Sequence, residues 1–203
     1  MKRNCFTNQV AAGLVLGLLL AFTIPSLCLA QEQQSNRIER WEVFGGLWLM
    51  NGDSAKSTDL GVSVEFDDTR LYGLGFGYNI TEHLNLNSEL LFGNTDYDGT
   101  SLGNPVSDNT DLIAWNVNMD YNFWKKSLTP FVTGGIGIMG FDGKIGNFDF
   151  NEDNLSYNVG IGVRWDFDNL FFKASYRWLW TDLEDADDDM NFDGFHFAGG
   201  LML

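Results

Sequence analysis

Cysteine, proline and positive charge are all scarce in this chain of 203 residues. Both cysteines, Cys5 and Cys28, lie in the first 30 residues, so the remainder can build no disulfide scaffold, thiolate metal site or thiol nucleophile. Twelve Lys and Arg face 28 Asp and Glu, a formal net charge of −16. That balance excludes nucleic acid as a partner, because phosphate contacts need clustered cations. Of the three prolines, Pro25 and Pro105 lie outside every patterned run and Pro130 stands at the start of one. None sits where a missing N–H would delete a ladder hydrogen bond. Amphipathic helical periodicity is absent after residue 30. What the chain has in quantity is 7 Trp, 6 Tyr, 17 Phe and 23 Gly. Acidic disordered chains are poor in aromatics, so disorder is excluded as well.

The first 30 residues have the order of a secretory signal peptide. Lys2 and Arg3 form a basic n-region, Val10 to Leu20 an apolar h-region, and Pro25 ends it. Cys28-Leu29-Ala30 is a small-x-small cleavage site, which predicts removal of residues 1–30 and a mature domain of residues 31–203. A retained helical anchor and an acylated Cys28 are the competing readings. The cleavage site argues against the first, and the bulk of Leu27 against the second. Removal leaves 10 cations against 28 anions, a formal charge of −18. The 173 remaining residues make one domain of ordinary size.

The dominant period is two. Ile113, Trp115, Val117, Met119, Tyr121 and Phe123 alternate with Ala114, Asn116, Asn118, Asp120 and Asn122. Leu155, Tyr157, Val159, Ile161, Val163, Trp165 and Phe167 alternate with Ser156, Asn158, Gly160, Gly162, Arg164 and Asp166. A helix would scatter each set over both faces, so both runs read as strands. Six weaker runs, 41–50, 70–80, 84–93, 131–142, 170–180 and 194–203, bring the expected number to eight. The faces of the run from Phe131 stay unassigned, because glycines occur on both parities. The connections alternate. Residues 81–83, 125–129 and 168–169 read as short turns, and 51–69, 94–109, 143–154 and 181–193 as long polar loops.

Eight antiparallel strands can close an up-and-down barrel with its apolar face either inward, in water, or outward, in lipid. Four features select lipid. Each run has the length of about 10 residues that a tilted strand needs to cross a bilayer. Short and long connections alternate. Aromatics gather near the run ends: Trp41, Tyr78, Phe123, Trp165, Phe167 and Phe172 toward the short turns, and Tyr72, Phe92, Tyr157, Trp178, Trp180 and Phe195 toward the long loops. These are the girdles expected at the two interfaces. The polar face carries both signs of charge: Glu42, Glu89, Asp120, Asp166, Arg164, Lys173 and Arg177. The fold class is therefore all-β, an eight-stranded antiparallel up-and-down transmembrane β-barrel.

The segments 71–84 (LYGLGFGYNITEHL), 130–137 (PFVTGGIG) and 195–203 (FHFAGGLML) resemble the small eight-stranded outer-membrane β-barrels of Gram-negative bacteria, the superfamily of the OmpA transmembrane domain, OmpX and the opacity-type surface proteins. The resemblance is one of pattern and covers residues 31–203. It implies both termini in the periplasm, long loops outside the cell, and partners in outer-membrane lipid, lipopolysaccharide and the barrel assembly machinery. The family's last strand usually ends in Phe, where this chain has Leu203.

The candidate functional residues are a lumen network of Glu42, Glu89, Asp120, Arg164, Asp166, Lys173, Arg177 and His196. An eight-stranded barrel is about wide enough for its own side chains, which favours a plug of paired charges in a monomeric structural or cell-surface protein. A narrow solute channel is the alternative, since Gly73, Gly75, Gly77, Gly160 and Gly162 would leave space beside the charges. Lipid-modifying enzymes of the superfamily use His with Ser and a carboxylate. His83 falls in a short turn, and His196 has no serine that the pattern places beside it, so no catalytic residue is assigned. The acidic segment from Asp185 lacks the glycine and glutamate of a calcium loop, and no cofactor or metal site is expected.

Overall fold

The computed structural model describes residues 37–52, 54–57, 62–101, 104–145, 148–181 and 190–203. The expected signal peptide and the acidic segment 182–189 lie outside the described residues. The strands are β1 Trp41–Asn51, β2 Ser54–Ser57, β3 Val62–Phe66, β4 Thr69–Asn79, β5 Leu84–Ser101, β6 Asn104–Asn122, β7 Leu128–Ile145, β8 Phe148–Phe167, β9 Leu170–Thr181 and β10 Met190–Met202.

Eight of these close a ring of antiparallel pairs in the order β1-β4-β5-β6-β7-β8-β9-β10, with β10 returning to β1 from Glu42↔Met202 to Asn51↔Asp193. Closure leaves no open strand edge within the ring. The period-two patterns become the two faces of the wall. Ile113, Trp115 and Met119 are outward and exposed, while Asn116, Asn118 and Asp120 are inward and buried. On the ambiguous β7, Phe131, Thr133 and Met139 face inward and Val132, Ile136 and Ile138 outward.

Two expectations about the connections need correction. Residues 94–101, 104–109, 143–145 and 148–154 are strand and not loop: β5 pairs with β6 as far as Ser101↔Asn104, and β7 with β8 as far as Ile145↔Phe148. Polar residues hid these extensions, because a strand in water needs no apolar outer face. The connection after β1 also carries a hairpin, β2–β3, whose β3 pairs with β5. The short turns stand as read at two sites. Ile80 N–H and Thr81 N–H both donate to Leu84 O, and Thr81 Oγ1 accepts from Leu84 N–H at 2.9 Å. Asp168 takes a left-handed φ of 51° in the two-residue turn between β8 and β9, a conformation that Asp tolerates. The third turn lies two residues earlier than expected, at 123–127, since β6 ends at Asn122 and β7 begins at Leu128.

The outward face is a continuous apolar surface. Leu74, Phe76, Ile136 and Ile161 are each more than half exposed, which in water would be an aggregating patch and in hydrocarbon is a solvated one. Even the outward Ser88 is satisfied, accepting from Trp115 Nε1 at 2.8 Å.

Candidate functional site

Alternation carries every second side chain of the ring into the lumen, so the wall delivers charges there from β1, β5, β6, β8, β9 and β10. Five of them, together with Arg37 from before β1, alternate in sign along one chain of ion pairs. Arg37 Nε meets Asp166 at 3.1 Å, and Arg164 Nε meets the other oxygen of Asp166 at 2.6 Å. Arg164 Nη2 reaches Glu42 Oε1 at 2.6 Å. Lys173 Nζ lies 3.6 Å from Glu42 Oε2 and 2.8 Å from Asp120. A second cluster holds Glu89 between Arg177, at 3.0 Å, and His196 Nε2, at 2.7 Å. All nine side chains are buried. They comprise four anions, four basic side chains and one histidine. Removing charges from water costs several kcal/mol per ion unless partners restore it, and here each ion has an opposite neighbour.

Every residue expected in the lumen network therefore lies in the lumen, and the structure divides them into the two clusters. Arg37 was not anticipated. It stands before the first patterned run, so no periodicity marks it. Glu39 adopts φ 58° and reverses the chain, with Glu39 N–H donating to Asn79 O at 2.9 Å. This places Arg37 across the short-turn end of the lumen, where it also donates to Lys126 O at 2.7 Å. Burial pulls its guanidinium down to about 10, against the opposing attraction of Asp166, so it stays charged at neutral pH.

A belt of amides runs along the inner wall beside these charges. Asn79 Nδ2 donates to Glu42 at 2.7 Å, Asn85 to Asn79 at 3.1 Å, Asn87 to Asn85 at 3.0 Å, and Asn118 to Asn87 at 3.3 Å. Asn158 completes it by donating to Asn118 at 2.9 Å. These asparagines read in sequence only as the polar half of an alternation.

The lumen is less polar than expected. At the long-loop end Trp48, Met50, Leu71, Leu91, Leu112, Met139, Leu179 and Phe192 form an inward apolar cluster. At the short-turn end Phe44, Phe171, Ala198 and Met202 form another. Arg164 lies over the Phe171 ring at 4.7 Å and Arg177 over Trp48 at 5.8 Å, a favourable use of aromatic faces where cations are desolvated. The lumen glycines also leave less room than expected. A Cβ on Gly73 would meet Leu91 Cδ2 at 2.7 Å, on Gly160 Arg177 Cγ at 2.9 Å, and on Gly162 Ser175 Cβ at 2.6 Å. Their missing side chains are replaced by neighbours and not by open space.

Two further placements concern histidine. His83 Nδ1 lies 2.7 Å from Asn122 O in its turn and stacks on Tyr121. His196 does have a serine beside it: Ser175 is its register partner on β9, also inward and buried. Sequence spacing hid this, because the pair is set by register between strands. Among the described residues Ser175 Oγ and His196 Nδ1 have no hydrogen-bond partner, and Trp48 packs edge-on against the imidazole at 6.2 Å. The girdle residues Trp41, Tyr72, Phe92, Phe123, Tyr157, Trp165, Phe172, Trp178 and Trp180 are outward and exposed. Tyr78 is half-buried against Trp41, with ring centroids 4.8 Å apart. Among the described residues no three His, Asp or Glu gather in a group able to hold a metal ion.

Residues 15–201 match the family described as outer membrane protein beta-barrel domain. The chain belongs to that family. Its home is accordingly the bacterial outer membrane, and the outward apolar face is its lipid surface. Solved barrels of this family's kind share the fold at low identity. OprG from Pseudomonas aeruginosa is 12% identical with a TM-score of 0.60, over 84% of this chain and 99% of that one. Neisserial surface protein A is 16% identical with a TM-score of 0.54, over 80% and 96%. No curated protein matches the chain in sequence.

Proposed function

We propose that this outer-membrane β-barrel serves a structural or cell-surface role, without catalysis, and that its own side chains close the lumen to solutes. One observation carries the reading. Two charge clusters with as many anions as basic side chains fill the middle of the lumen, between an apolar cluster at one end and the Arg37 strap at the other. Any solute would have to break several buried ion pairs or pass an apolar constriction, both costly routes. Ser175 and His196 are buried beside the same apolar cluster, so a substrate entering from that end would have to displace Trp48 and its neighbours to reach them. In this reading residues 1–30 are a cleaved signal, both termini are periplasmic, the barrel is a monomer, and its partners are lipid, lipopolysaccharide and the assembly machinery.

Single-channel recording in planar bilayers tests the closed lumen. The expected result is silence. A steady conductance that changes in Arg164→Ala or Asp120→Ala would establish a channel instead. Incubation with lipopolysaccharide tests the absence of catalysis: release of an acyl chain that Ser175→Ala abolishes would overturn it.

A further inference from the structure

The inward side chains of β6, β7 and β8 meet in rungs set by register. At one rung Asn118 and Asn158 flank Gly135, and Asn158 Nδ2 donates to Asn118 Oδ1 at 2.9 Å over the glycine. The next rung toward the long loops has the same plan. Asn116 and Ser156 flank Gly137, and the Asn116 amide takes up the space that a side chain at 137 would need. Here no direct bond forms. Serine carries its oxygen one atom closer to the backbone than asparagine does, so the reach that closes the Asn118–Asn158 rung falls short.

Three polar atoms of this rung are left unused. Asn116 Nδ2, Asn116 Oδ1 and Ser156 Oγ have no hydrogen-bond partner among the described residues, and both side chains are wholly buried. The register partners on either side do not supply one. Glu89, beside Asn116 on β5, gives its carboxylate oxygens to Arg177 and His196. Thr181, beside Ser156 on β9, donates its hydroxyl to Leu155 O. On β8 itself the inward neighbours Asn154 and Asn158 each keep one unused atom, Nδ2 of the first and Oδ1 of the second. Both are more than nine-tenths buried. A buried amide or hydroxyl without a partner carries its full desolvation cost, and folded proteins leave few such groups.

We propose that this rung is an internal water-binding site. Ordered water bridges the Asn116 amide to Ser156 Oγ, with Asn154 Nδ2 and Asn158 Oδ1 on either side as further partners. Chemistry selects the ligand. The five unused atoms are all neutral and mix donors with acceptors, which suits water and offers neither an anion nor a metal ion an opposite charge. The missing reach is about one atom, a gap that a single bridging water spans. The bound water does at this rung what the direct amide bond does at the next: it ties β6 to β8 across a glycine.

Water–amide NOE and ROE spectra of the isotope-labelled full barrel in detergent micelles test the site. The Asn116 side-chain amide should show cross-peaks to water with NOE and ROE of opposite sign, the mark of long-lived bound water. The Asn118 amide, engaged on both sides in the belt, should show none. Ser156→Asn restores the missing reach, so the Asn116 cross-peaks should be lost as the two amides bond directly. Ser156→Ala removes the hydroxyl that could relay exchange from bulk water, and the cross-peaks should remain. Heat-modifiable gel migration verifies that each variant folds. Absence of the cross-peaks in the native chain would overturn the proposal, whichever variants fold. Their loss in Ser156→Ala would assign the signal to the hydroxyl and overturn it too. Persistence in folded Ser156→Asn would do the same, by placing the water elsewhere.

Discussion

Asn158 donates to Asn118 at 2.9 Å across the full width of β7, over Gly135, which is register partner to both. The amide of Asn118 occupies the space where a side chain at 135 would stand, and a Cβ there would also come within 2.6 Å of Val117 O. Gly134, its outward neighbour, would place a Cβ 3.9 Å from its nearest atom. Gly135→Val should therefore lose about 1–3 kcal/mol by overpacking, whereas Gly134→Ala should be close to neutral. Urea unfolding in lipid vesicles, followed by tryptophan fluorescence, checks the pair. Equal stability of the two variants would show that the amide belt contributes nothing.

The Glu89–Arg177 pair gives a second expectation. Arg177→Met leaves Glu89 buried with His196 alone and should cost about 3–5 kcal/mol, as for other buried pairs broken on one side. Glu89→Gln combined with Arg177→Met removes both charges and should recover much of that loss. A double-mutant cycle measures the coupling directly. Additive losses would mean that the two side chains do not compensate one another.

Arg37 ties the segment before β1 to Asp166 and to Lys126 O, on the far side of the short-turn end. Arg37→Ala should free that segment while the ring stays intact. Hydrogen exchange at the Glu39 amide, which donates to Asn79 O, should speed by an order of magnitude or more, with β8 and β9 unaffected. Unchanged protection at Glu39 would show that the backbone bonds suffice without the guanidinium.

Orientation is checked by labelling. An even number of barrel strands returns both ends to one side, so on the proposed topology, with both ends periplasmic, the turn at Lys126 is expected on the periplasmic side and the acidic segment around Asp187 outside the cell. Asp187→Cys should react with a membrane-impermeant maleimide in intact cells, and Lys126→Cys should not. The chain after residue 30 has no cysteine of its own, so the background is clean. The reverse pattern would invert the barrel.

The sequence by itself determined the period-two wall, its division into an apolar and a polar face on β6, β8, β9 and β10, and hence the lumen position of Asp120, Arg164, Asp166, Lys173, Arg177 and His196. Alternation is a local property of an extended chain, and it is written residue by residue. Tertiary structure decided what no single strand contains. On β1 both faces are apolar, so only the closed ring shows that Phe44, Trp48 and Met50 face inward while Val43 and Leu49 face lipid. Register between strands set Ser175 against His196, and closure of the ring brought Glu89 to Arg177 across the lumen, 88 positions apart in sequence. The extensions of β5 to β8 escaped notice because strands leaving the bilayer lose the apolar outer face that marks them. Arg37 escaped because it acts from a reversed segment, held by a left-handed Glu39, that carries no period at all.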